Sequence, residues 1–299
     1  MSSADELMTR LRHIAERAQQ RQRERTPEPT LEPPPAALER LPDWPESVRG
    51  APDSFLRGAL FPAIQGKTRR ALKRERIPAP AGLEIRFTGW QLDTSDFEVW
   101  QQLVHLARLE PLGHRIQFTA HALLQALGRN TGKSDHEWLK EVLARLGGSF
   151  VEVTIKGHHT FADNLLRYYR DERTQHYELE LKPEFLRLYQ AGWTQIERAQ
   201  RQQLQRQPLA LWLHGFYATH AEPFPLKVAT LREWSGSQNK SLAGFRRQLR
   251  AALDDLIRSG AITAWRIDDG DLVHVARTPT ASQRRHLARK GQKPPPPAT

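Results

Sequence analysis

Sliding the sequence along itself by 107 positions brings a series of residues into coincidence. Val104 falls on Leu211, Leu106 on Leu213, Leu124 on Leu231 and Leu127 on Trp234. In the same register Ser134 falls on Ser241, Trp138 on Phe245, Val142 on Leu249 and Leu146 on Leu253. One such match arises easily by accident, but eight in one ungapped register do not. The chain is therefore constrained to build one supersecondary unit twice.

The downstream copy, residues 225–277, reads as short strand, short helix, turn, long helix and hairpin. Leu242, Phe245, Leu249, Leu253 and Leu256 recur at helical spacing, so one stripe of the long helix faces a core. Its other face opens with Lys240, Arg246, Arg247 and Arg250, and Asp254 and Asp255 come only later. Cations on the first turns of a second helix, followed by a β-hairpin, suit a winged helix-turn-helix. An amphipathic helix with a merely solvated face is the plainer alternative. The upstream copy repeats the order: helix 96–110, strand 115–118, helix 120–127, helix 135–146, then strand 149–156 as wing with its turn at 157–159. Ser134 and Glu137 have capping-box spacing, and Gly147 and Gly260 stand where the long helices should stop. The expected fold class is α+β, two tandem winged-helix (helix-turn-helix plus β-wing) domains at 41–190 and 191–277. A charged, proline-rich flexible arm (1–40) and a basic disordered tail (278–299) flank them. Two further segments are ambiguous: the basic run 67–76 reads as a solvated helix or a phosphate contact, and Gln/Arg-rich 195–207 as a polar helix between domains.

Among 299 residues, Lys and Arg outnumber Asp and Glu 45 to 34, a net charge of +11 that favours polyanionic partners. With no cysteine, disulfides, Cys-ligated zinc and thiol catalysis are excluded. No apolar run approaches the roughly 20 residues of a membrane span, and no secretion signal opens the chain. The expectation is a soluble, cytoplasmic protein without membrane contact.

Signals of catalysis fail on spacing. Gly128-Arg-Asn-Thr-Gly-Lys-Ser134 has three residues between its glycines where a phosphate-cradling loop needs four, and it follows a helix instead of a strand. His158 and His159 are adjacent, so on a strand they point to opposite faces and cannot ligate one ion together. Asp268-Asp-Gly-Asp271 lacks the oxygen spacing and final Glu of a calcium loop and fits a hairpin turn. The eight tryptophans read as core, Trp138 and Trp234 lying on the repeated apolar stripes. No enzyme activity, metal or cofactor is expected.

DNA contact is divided between the units. Lys240–Arg250 holds four cations and no acid, so major-groove reading falls to the second unit. Lys240, Arg246, Arg247 and Arg250 face the DNA, the arginines reaching guanine edges or phosphates, while Gln238, Asn239 and Ser241 hold the backbone at the helix N-terminus. In the first unit Lys133, Lys140 and Arg145 are balanced by Asp135, Glu137 and Glu141. That unit positions the complex, with His158 and His159 near phosphate at the wing tip. It also offers the apolar strand around Phe150–Ile155, with Val151 and Val153 on one face, for edge-to-edge pairing with a second copy.

Three stretches together resemble the TrfA-type replication initiators of broad-host-range plasmids: LPDWPESVRGAPDSFLRGALF (41–61), RFTGWQLDTSDFEVWQQLVHLAR (86–108), and PFPLKVATLREWSGS with the FRRQLRAALDDLIRSG that follows. The similarity covers roughly 41–277. It implies an initiator that binds iterons, short direct repeats in double-stranded origin DNA, through two winged helices and opens an adjacent AT-rich tract. It also implies recruitment of host helicase and polymerase components, with dimers that limit copy number. The family's sliding-clamp peptide precedes the Trp-Pro segment; here that place reads Ala37-Leu-Glu-Arg-Leu41, without its aromatic anchor. The rival readings are a winged-helix repressor bound as a dimer to a palindrome, and a nicking enzyme, which the absent metal-binding His pair opposes.

Overall fold

The computed structural model describes residues 39–291 apart from Lys67, Glu172 and Gln175. The expected arm, 1–40, lies outside the described residues except for its last two, as do 292–299. The chain opens with β1 (Val48–Pro52), α1 (Asp53–Leu56), β2 (Ala71–Ile77) and β3 (Leu83–Trp90). A first module follows: α2 (Thr94–Ala107), β4 (Arg115–Thr119), α3 (Ala120–Ala126), α4 (Lys133–Gly147), β5 (Phe150–Ile155), β6 (His158–Asn164), β7 (Arg167–Arg170) and β8 (His176–Glu180). After α5 (Phe185–Gln190), β9 (Trp193–Glu197) and α6 (Arg198–Gln203) comes the second: α7 (Pro208–Ala218), β10 (Leu226–Lys227), α8 (Val228–Trp234), α9 (Leu242–Arg258), β11 (Ala264–Ile267) and β12 (Leu272–Ala276). A last helix, α10, spans Ala281–Gly291.

The repeat is real at the level of elements, and both long helices bury apolar stripes: the expected Val142 and Leu146, joined by Leu139 and Leu143, on α4, and Phe245, Leu249, Leu253 and Leu256 on α9, with Leu242 half-buried. Trp138 and Trp234 are only half-buried, at the margins of the two cores. Capping differs between the copies. Ser241 caps α9, its Oγ accepting from Gly244 N at 2.9 Å. The box expected from Ser134 and Glu137 does not form, because α4 begins at Lys133 with Gly132 as its cap and Ser134 already inside the first turn. A capping box does open α2, where Asp93 and Asp96 each accept from the other's end of the turn. Gly260 stops α9 in the left-handed region at φ +73, as expected.

The wing expectation is corrected. In the second module the strands lie in the order β10-β12-β11, and the same order in the first is β4-β8-β7. The counterpart of the β11–β12 hairpin is therefore β7–β8, with Arg173 and Thr174 in a turn between them. The 149–156 strand instead belongs to an inserted hairpin, β5–β6, which joins the antiparallel sheet β2-β3-β5-β6. There β5 is flanked on both sides, Val153 facing Ile85 and Phe161. It has no free edge for a second copy, and Val151 and Val153 are fully buried.

Three other segments depart from expectation. The basic run becomes strand β2, because Leu72 and Ile77 reach the core while the residues between them stay exposed. Trp193–Glu197 pairs with β1 as a strand, and only Arg198–Gln203 of the polar segment is helical. The tail expected to be disordered forms α10 over Ala281–Gly291. Thr280 N donates to Gln283 Oε1 at 3.0 Å and Gln283 N to Thr280 Oγ1 at 3.3 Å, a capping box that the residues at 280–283 already spelled. Gln283 Nε2 then ties the helix to the Ala218 carbonyl at 2.8 Å.

Asp96 is fully buried against Arg145 at 2.7 Å. Burial and then neighbouring Asp93 push its carboxyl from 3.8 up to about 6, the Arg145 contact only partly opposing them. A raised carboxyl pKa makes the native state hold its proton longer than the unfolded chain, so stability drains as pH rises from 3.8 through about 6. Asp96→Asn should remove that pH-dependent component, read as the parent-minus-variant difference in urea midpoint across the window; an unchanged difference would contradict the assignment. For β5, Val153→Asp should cost at least about 3 kcal/mol by burying an unpaired charge. A variant that melts like the parent but loses self-association would return β5 to an edge.

Candidate nucleic-acid interface

The turn from α8 into α9 is built by its own side chains. Asn239 Oδ1 accepts from Ser241 N at 3.2 Å, and Asn239 N donates to Ser237 Oγ. Gly244 lies against this cap: a Cβ there would come within 2.8 Å of both Asn239 Oδ1 and Ser241 Oγ. The oxygens of Asn239 and Ser241, expected to hold DNA backbone, are thus engaged in shaping the helix start. Gln238 and Lys240 remain exposed at the turn.

On α9 the cations fall into two classes. Arg247 and Arg250, three apart, share the exposed face opposite the buried stripe, and no acidic partner meets either among the described residues. Arg246 is different. Its Nε and Nη2 donate to the two carboxylate oxygens of Asp271, at 2.9 and 2.6 Å, joining the helix to the turn between β11 and β12. The Arg246 hydrogen bonds, above all, hold the Asp271 carboxyl below its ordinary value, so the pair persists at neutral pH and is lost on acidification. Asp268 accepts from Leu272 N and from His274 Nε2, which confirms 268–271 as a hairpin turn.

The first module presents little free positive charge on its matching helix. Lys133 is exposed, Lys140 pairs with Glu137 at 2.7 Å, and Arg145 is drawn into the core by Asp96. Gly128–Ser134 closes on itself as a turn: Arg129 lies 3.7 Å from the Trp138 ring centroid and donates to Asp135. His158 and His159 are exposed near the tip of the inserted β5–β6 hairpin, not on the β7–β8 hairpin.

Two cations escaped the sequence reading. Arg232 on α8 shares a groove of about 600 Å³ with Gln238 and with Arg70 and Leu72 at the β2 edge. Arg266 projects from exposed strand β11. The acidic partner of Arg246 was visible as a residue, but nothing local linked positions 25 apart. No helix among the described residues is long and apolar enough to cross a membrane.

The family described as "TrfA protein" matches residues 34–277. The plasmid replication initiator protein TrfA of Escherichia coli is 30% identical over 243 residues, covering 78% of this chain. The chain spans 63% of the length of that relative. Among solved structures it is similar to domain 2 and domain 3 of RctB, at TM-score 0.49 and 11% identity, covering 69% of this chain and 84% of that one. A second RctB structure of domains 2-3 gives TM-score 0.47 at 11% identity, over 72% of this chain and 92% of the other. By its sequence match over most of its length, the chain belongs to the TrfA family.

Proposed function

We propose that the chain is a plasmid replication initiator whose two modules act as winged helices on the direct repeats of an origin. The observation that carries this is the pair Arg247 and Arg250, exposed on one face of α9 without acidic partners, in a helix–strand–helix–helix–hairpin unit that occurs twice. In this reading α9 is the helix that enters a major groove, with β11–β12 as its wing. Arg247 and Arg250 read base edges, Lys240, Gln238 and Arg232 hold phosphates, and the first module adds Lys133. The reading includes opening of the origin, recruitment of host helicase, and pairing of two copies as the state that limits initiation. It is a reading of binding without catalysis, and the Gly128–Ser134 turn, closed by Arg129, Asp135 and Trp138, supports it.

Arg247→Ala and Arg250→Ala should each weaken binding to a direct-repeat duplex by about 1–3 kcal/mol while weakening random duplex much less. Gel-shift titration on both duplexes measures this, and equal losses on the two would remove base reading from these residues. A footprint on tandem direct repeats separates an initiator from a repressor, which would protect a palindrome.

A further inference from the structure

Resting on the reading of α9 and β11–β12 as a DNA-binding helix and its wing, we infer that Arg246 is a positioning residue: its ion pair with Asp271 locks the wing to the recognition helix, so that both meet DNA as one surface.

The geometry fixes the direction of Arg246. Two of its five N–H donors, at Nε and Nη2, are engaged by one carboxylate of the β11–β12 turn, so Asp271 holds the guanidinium where it is. The wing tip is also held from the opposite side. The Asp271 carbonyl accepts from Val228 N at 3.0 Å, at the first residue of α8, and Lys227 Nζ reaches the Gly270 carbonyl at 2.5 Å. Asp271 thus bonds to both helices of the helix-turn-helix, through its side chain to α9 and through its backbone to α8. Its backbone lies at φ +62, a conformation a non-glycine residue keeps only where its surroundings hold it. Arg246 and Asp271 side chains are each about a third exposed, so the clamp sits at the rim of the interface.

The inference makes an unusual prediction of sign. Removing an acid beside a DNA surface normally strengthens binding, because it removes repulsion from phosphate. If Asp271 clamps the wing, Asp271→Ala should instead weaken binding.

The test uses the full chain and two probes, a duplex that the parent selects from a random pool and an unselected duplex of the same length. Asp271→Ala and Arg246→Ala should each lower affinity for the selected duplex, by about tenfold. The double substitution should do no more than either alone. The exchanged pair Arg246→Asp with Asp271→Arg should recover much of the loss, which no general loss of structure would allow. Arg246→Ala should leave the salt dependence of binding unchanged, whereas loss of a phosphate contact would lower the slope by about one. Tighter binding by Asp271→Ala, or additive losses, would overturn the clamp and return Arg246 to the DNA. If the parent selects no duplex at all, the functional reading has failed. The clamp is then judged by amide hydrogen exchange at Val228, Asp271 and Leu272, which both single substitutions should accelerate; unchanged exchange would overturn it.

Discussion

The lead-in segment 41–64 is the constraint on which the arrangement of both modules depends. Its strand β1 pairs with β9 across more than 140 residues of chain, from Val48–Glu197 to Pro52–Trp193. The ladder is sealed by Trp44, which is 2% exposed and stacked on Tyr189 with ring centroids 6.0 Å apart. Gly50 is required there, since a Cβ would come within 2.6 Å of the Trp44 ring. Trp44 Nε1 donates to His105 Nδ1 on α2, and the other His105 nitrogen meets Glu46, which this contact and Arg108 hold down to about 2. Further along, the same segment grips the second module. Trp212 Nε1 donates to the Gly58 carbonyl and Ala63 N to the Ser235 carbonyl, where α8 turns toward α9. A stretch of some twenty residues thus bonds to both modules, and their relative orientation is built into the core.

Within that frame the two copies have diverged by redirecting charge. In the repeat register Lys140 corresponds to Arg247 and Glu137 to Gly244. The first module's cation is neutralised by the carboxylate three residues before it. The second module has glycine at that place, because the Asn239–Ser241 cap leaves no room for a side chain, and its arginine stays free. Arg145 is likewise diverted into the core by Asp96, where the second module has Ala252. The difference in free positive charge between the two long helices therefore rests on a handful of local pairings, with the backbone topology shared.

Local signals fared well in the sequence. The buried stripes of both long helices, the stop at Gly260 and the turn at 268–271 all arise from side chains within a few residues of one another, which a linear pattern records, and the repeat is such a pattern met twice, 107 positions apart. The clustering of free cations on the downstream helix was legible for the same reason, as was the family. The capping box of α10 was legible too, at Thr280 and Gln283, but composition drew attention to the tail's charge instead.

What the sequence by itself determined is the set of elements and which face of each is apolar. What only the tertiary structure decided is partnership. Two hairpins follow α4, both alternating, and nothing along the chain says which completes the β4 sheet; that choice depends on β3 lying beside β5, a contact between strands some 65 residues apart. Once β5 is an interior strand, its apolar face belongs to the core and not to a second copy. In the same way Arg246 and Arg247 are equivalent neighbours in sequence, yet one turns toward Asp271 and the other toward solvent. Hydrogen bonds and ion pairs are satisfied by proximity in space, and the chain's order along the sequence does not encode that proximity until the core has formed.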